Sequence, residues 1–106
     1  MADITVKEVK QRLDAGEKLN LIDVRETYEH QTGNIGGVNI PLGTLPLKLD
    51  EISNLKDQEV ILYCRSGGRS GSAAMLLKQA GFANARNMIG GSLAWKAEID
   101  PSYNVA

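Results

Sequence analysis

One cysteine, one histidine and one tryptophan occur in this chain of 106 residues, and each scarcity removes a class of explanation. The lone cysteine, Cys64, has no partner for a disulfide within the chain. With His30 as the single histidine there is no cluster of ligand residues of the kind that holds zinc, so no metal is expected. Neither a GxGxxG nor a GxxxxGK[ST] stretch occurs, which leaves no nucleotide fingerprint, and no cofactor is expected. Excess charge of one sign is missing too: 12 basic against 13 acidic side chains leave a net charge of -1. Nothing in that balance calls for nucleic acid or an anionic membrane as partner, so any anion site must be local. No apolar run reaches membrane-spanning length, and "MADITVKEVK" lacks the apolar centre of a secretory signal. The expectation is a reducing, cytoplasmic setting, with which one unpaired thiol is consistent.

What is present is ordinary globular composition, 42% hydrophobic and 24% charged, in a length that suits a single domain over residues 1–106. "TVKEVKQRLDAG" sets Val6, Val9 and Leu13 on one helical face, with Thr5 and Glu8 as a capping box and Gly16 as a stop. "LNLIDV", "GVNI" before Pro41, "EVILYC" and, more weakly, "NARNMI" have the short apolar character of strands covered on both faces. Between them "RETYEHQT", "LPLKLDEISNL" with Pro46 in its first turn, and Arg69 to Ala80 have helical spacing, the last with Ala73, Leu76, Leu77 and Ala80 on one stripe. "GSLAWKAEI" is a final helix expected to bury Leu93 and Trp95. Strands alternating with helices imply an α/β fold, a mostly parallel sheet with helices on both faces. Ligands of such sheets bind beyond the carboxyl ends of the strands, where Cys64 lies.

The chemistry-bearing stretch is "LYCRSGGRSG". From Cys64 to Arg69 the chain must turn from a strand straight into a helix, and Gly67 and Gly68 permit positive φ there. Successive amides can then point inward as an anion nest, and the helix N-terminus adds its unpaired N–H groups. A sulfur in that position is favoured as thiolate, and Arg65 and Arg69 add fixed positive charge that also suits an anionic substrate. A buried structural thiol is the bland reading, but Arg, Ser and Gly are poor core companions, so Cys64 is taken as a nucleophile. Asp23 and Arg25 stand at the carboxyl end of another strand. Either could reach the active-site edge and support the loop, as could Ser70, but a structural ion pair is the favoured reading for Asp23 and Arg25. His30 sits in a polar helical stretch and is taken as structural or surface.

In order along the chain, "LIDVRETYE", "NIPLG", "VILYCRSGGRS", "LLKQAGF" and "GGSLAW" resemble the signature segments of the rhodanese family of sulfurtransferases. The resemblance implies a rhodanese-like fold, a five-stranded parallel sheet between helices. It implies Cys64 as the carrier of sulfur in a persulfide. It also implies Arg65, Ser66, Gly67, Gly68 and Arg69 as the loop that holds the transferred sulfur and a donor anion such as thiosulfate, with cyanide, a thiol or an acceptor protein taking the sulfur away. Related phosphatases and arsenate reductases carry one more residue in the loop than the Cys-x4-Arg present here; they and a non-catalytic binding module remain alternatives. The chain departs from the family pattern "EYxxGHIPGAxNIP": its "EHQTGNIGGVNIP" has His30 for the aromatic, Asn34 for the histidine, no proline before the glycines and one residue fewer.

Overall fold

The computed structural model describes residues 3–106. A two-residue strand, Asp3–Ile4 (β1), runs into a helix, Val6–Asp14 (α1), through Thr5. The Thr5 hydroxyl accepts from the Glu8 amide at 3.1 Å and the Glu8 carboxylate accepts from the Thr5 amide at 3.4 Å, the expected reciprocal cap. There follow Leu21–Asp23 (β2), Thr27–Thr32 (α2) and Val38–Asn39 (β3). After two segments of 3-10 helix, Leu45–Leu47 and Leu49–Leu55, come Glu59–Tyr63 (β4), Gly68–Gln79 (α3), Asn84–Met88 (β5) and Gly91–Glu98 (α4). No described helix is long and apolar enough to cross a membrane.

The strands form one five-stranded sheet in the order β1-β5-β4-β2-β3, and every described pairing is parallel. β1 has no periodicity of its own and is defined by its partner, Ile4 lying opposite Met88. The connection after β2 leads outward to β3, whereas the connection after β4 leads the other way to β5. The gap between the carboxyl ends of β2 and β4 is therefore the topological switch point of the sheet, where side chains from two strands face an open crevice.

Alternation along β4 divides the core. Val60, Leu62 and Cys64 face α3 and the 3-10 segment, packing with Ala73, Leu77 and Ile52, while Ile61 and Tyr63 face α1 and α4, packing with Val9 and Trp95. Two expected details differ. The stretch from Leu45 to Leu55 is not one α-helix, because Lys48 leaves helical geometry at φ -113 and ψ 8 and splits it. Leu93 is not buried: α4 starts at Gly91 and turns Ser92 and Trp95 inward, leaving Leu93 38% exposed on the other side.

Candidate active site

β4 ends at Tyr63, and Cys64, next in the alternation, falls on the α3 face with 1% exposure. The chain then turns through Gly67, whose φ of 105 is a left-handed conformation, into α3. Gly68 is the first residue of that helix and has no positive φ, so only one of the two glycines expected to allow the turn is needed for it. The turn brings the amides of Gly67 (3.1 Å) and Ser70 (3.4 Å) and the Ser70 hydroxyl (3.3 Å) onto Cys64 Sγ. Burial pushes the thiol pKa up, but the Ser70 hydroxyl and the amides of Ser70, Gly67 and Ser66 outweigh it and hold the pKa below the usual thiol value. The geometry thus favours sulfur-centred negative charge.

Residues far away in sequence hold the loop from beneath. The α4 amides of Ser92 and Leu93 donate to the carbonyls of Cys64 and Arg65, both at 2.9 Å. Such an approach requires Gly91: a Cβ there would lie 2.3 Å from the Cys64 carbonyl oxygen, at a φ of +57. Asn87, on β5, reaches up with Nδ2 to the Gly67 carbonyl at 3.2 Å and with Oδ1 to the Ser70 hydroxyl at 2.5 Å. Sequence reasoning singled out neither Asn87 nor Glu29. The repeated glycines of "GGSLAW" were the one available signal for the α4 contact.

The two loop arginines diverge. Arg65 is exposed and its Nε donates to the backbone oxygen of Ala106 at 3.0 Å. Arg69 is clamped by Glu29 of α2 at 2.7 and 3.0 Å; that contact, with the charge of Cys64 adding to it, raises the guanidinium pKa. Asp23 and Arg25 form a fully buried ion pair at the end of β2, 2.7 Å between Oδ2 and Nη2. Neither makes a hydrogen bond to Cys64 among the described residues. His30 Nδ1 meets the same Asp23 carboxylate at 2.8 Å. Arg25 also donates to the Gly33 carbonyl at 2.8 Å, and Tyr63 donates to the Gly36 carbonyl at 2.9 Å. These contacts shape the segment where the sequence departs from the rhodanese pattern. There Gly37, with φ of 85, passes so close to Leu21 that a Cβ would lie 2.2 Å from the Leu21 carbonyl oxygen.

Comparisons with known proteins agree with the fold. A family model described as "Rhodanese-like domain" matches residues 5–98. The putative sulfurtransferase YtwF of Bacillus subtilis is 38% identical over 100 residues, 93% of this chain and 94% of that protein. The adenylyltransferase and sulfurtransferase MOCS3-2 of Zea mays is 39% identical over 98% of this chain, which spans only 23% of the maize protein's length. The human single-domain sulfurtransferase TSTD1 superposes with a TM-score of 0.80 at 26% identity, covering 92% of this chain and 97% of its own. The strand-to-helix cysteine loop at the switch point of a parallel sheet and the match over residues 5–98 lead to one conclusion: the chain belongs to the rhodanese-like domain family.

Proposed function

We propose that residues 1–106 act as one sulfurtransferase unit that moves sulfane sulfur through a persulfide on Cys64. The observation that carries this reading is the set of donors on Sγ: the Gly67 amide at 3.1 Å, the Ser70 amide at 3.4 Å and the Ser70 hydroxyl at 3.3 Å. In the first half-reaction the Cys64 thiolate attacks the outer sulfur of thiosulfate. A new S–S bond forms to Sγ, and the old bond breaks with its electron pair leaving on sulfite. The enzyme then carries Cys–S–S⁻. In the second, cyanide or a thiolate attacks that outer sulfur, and the electron pair of the Cys64 bond returns to Sγ as thiolate. Negative charge stays on sulfur throughout, which is what fixed N–H donors stabilise. Passage through one covalent form implies ping-pong kinetics.

A protein-bound sulfur donor or acceptor is a second reading supported by one feature. Arg69 is already neutralised by Glu29, so a small dianion must compete for it, whereas sulfur presented on another protein need not. That the chain spans a fraction of the maize relative is compatible with sulfur passing between joined units.

Intact-protein mass spectrometry after incubation with thiosulfate tests the reading. The native protein should gain the mass of one sulfur atom, cyanide should remove it, and Cys64→Ser should not gain it. Sulfur transfer that persists in Cys64→Ser would overturn the covalent mechanism. A persulfide formed from a protein donor but not from thiosulfate would decide for the relay.

A further inference from the structure

Ser70 has one hydroxyl proton and two acceptors for it. Its Oγ lies 2.5 Å from Asn87 Oδ1 and 3.3 Å from Cys64 Sγ, and a hydroxyl has a single proton to donate. Ser70 and Cys64 are buried, so water does not supply a substitute donor at the sulfur, whereas Asn87 is half-buried and can take one when Ser70 turns away. The Asn87 carboxamide is not free to turn over. Its Nδ2 donates to the Gly67 carbonyl at 3.2 Å, and a flipped amide would set Oδ1 against that carbonyl, two acceptors facing each other. Oδ1 therefore faces Ser70, and the shorter contact lies at the strong end of the O–H···O range.

We propose that Asn87 is a positioning residue for Cys64, holding the Ser70 proton while Sγ is neutral and yielding it when Sγ bears negative charge. In the neutral state the Ser70 hydroxyl donates to Asn87 and offers a lone pair to the thiol. When Sγ ionises, the hydroxyl rotates about Cβ–Oγ and donates to sulfur, and Asn87 Oδ1 gives up its donor. The proton stays on Ser70 throughout; only the direction of its hydrogen bond changes. The catalytic consequence rests on the sulfur-transfer reading. Sγ is charged twice in that cycle, as attacking thiolate and as leaving thiolate, and neutral between, when the outer sulfur holds the charge. A donor that turns to Sγ only at those two moments stabilises charge where it develops rather than in the resting states.

The other charges around the loop are Arg65 within it, Arg69 on α3 with Glu29 on α2 behind it, and Asp23 and Arg25 at the end of β2, with His30 against Asp23; on the side of Asn87 stand Asp3, its register partner on β1, and Lys78 of α3. None is altered by the substitutions that follow. The test is the pH dependence of iodoacetamide alkylation of Cys64 in the full chain, which needs no sulfur donor and so stands even if the sulfur-transfer reading falls. Asn87→Val removes the competing acceptor within a strand. The apparent thiol pKa should fall by up to roughly one unit, the size of the neutral-state Ser70–Asn87 hydrogen bond that the variant lacks. The plateau rate at high pH should fall about threefold, because a better stabilised thiolate is a weaker nucleophile. Asn87→Asp keeps and strengthens the acceptor and should move the pKa upward. If Asn87 merely props the loop through Gly67, both variants lose that support and shift in the same direction, which overturns the proposal. The decisive arm is Ser70→Ala: there Asn87→Val should have no further effect and the Asn87→Asp shift should shrink. Asn87 effects of equal size with and without Ser70 also overturn it. Should the valine variant fail to fold, the aspartate pair of measurements decides alone.

Discussion

Arg69 and Glu29 meet end to end, with Nη1 and Nη2 donating to the two carboxylate oxygens at 2.7 and 3.0 Å. The Glu29 side chain is 5% exposed and the Arg69 side chain 36% exposed, so the pair lies at the border of the core. The Arg69 contact draws the Glu29 carboxyl below the ordinary carboxylate range, and the Glu26 amide, 3.0 Å away, fixes its orientation. The pair ties the far end of the cysteine loop to α2 and balances a cation beside the thiolate.

Arg69→Ala should therefore act twice. It leaves Glu29 buried without its partner, which should cost about 1–2 kcal/mol after allowance for the exposed arginine. It also removes a guanidinium charge that acts on Cys64 and for which a bound dianion would compete with Glu29, lowering kcat/KM for thiosulfate by about one to two orders of magnitude. Arg69→Lys should recover only part of this, since lysine lacks the planar fork that fits a carboxylate. Arg65→Ala should lower the same kcat/KM without the stability loss, its contact being to an exposed backbone oxygen. Steady-state kinetics and denaturant unfolding separate the effects, and unchanged thiosulfate kinetics in both alanine variants would remove the arginines from the mechanism.

Cys64 should be reactive at lower pH than a free thiol, because the loop donors hold its pKa down. The folded thiol ionises before the unfolded one. Its contribution to stability is thus fully present above the unfolded value and is lost as pH falls through the folded value. Ser70→Ala, which deletes one donor, should move the alkylation midpoint up. A midpoint at or above that of a free thiol in the native protein would contradict the donor geometry.

Gly91→Ala should disable the loop from a distance. The new Cβ would lie 2.3 Å from the Cys64 carbonyl and 2.7 Å from that of Arg65, at a left-handed φ. Displacing either breaks the amide contacts from Ser92 and Leu93, with a loss of at least about 2 kcal/mol expected from strain and broken bonds together. Circular dichroism should show the helices retained, while alkylation and sulfur transfer fall sharply.

Loop length should decide which centre is attacked. A tetrahedral oxyanion needs a ring of amides wide enough to meet several oxygens, whereas a single sulfur fits the ring formed by Gly67 and Ser70. The native protein should not hydrolyse an aryl phosphate or reduce arsenate. One glycine inserted after Gly67 should depress sulfur transfer, on the order of 10²-fold for donors misplaced by about 1 Å. Efficient phosphatase activity that depends on Cys64 would reassign the chemistry.

At the other end of β4, Glu59 binds Arg12 at 2.6 Å and Arg86 at 2.8 Å, and the Arg12 contact above all lowers its pKa to about 2. The stabilisation is fully present above the ordinary value of 4.5 and is lost as pH falls toward about 2. Glu59→Gln should flatten that acid limb of the stability profile while leaving Cys64 alkylation unchanged. An acid limb of the same shape in both proteins would show that the network contributes nothing.

The cysteine loop was visible in the sequence because its determinants are consecutive. A strand-length apolar run, a thiol, a pair of glycines and a helical stripe state a strand-to-helix turn without reference to the rest of the chain, and the capping box at Thr5 and Glu8 is local in the same way. Asp23 and Arg25 were placed correctly as an ion pair for the same reason, since only Val24 separates them. β1 escaped notice because two residues carry no period, and the break at Lys48 because a 3-10 and an α-helix share the spacing of the apolar residues that suggested one helix.

Tertiary structure alone decided what holds the sulfur's loop in place. Glu29 reaches Arg69 across 40 positions and Asn87 reaches Ser70 across 17, contacts that exist because the parallel order β5-β4-β2 sets those strands side by side. Composition and spacing describe how a segment meets water and its near neighbours, which determines helix, strand and turn. Which acceptor lies nearer one serine hydroxyl is a matter of less than an ångström between side chains on different elements, and packing sets it.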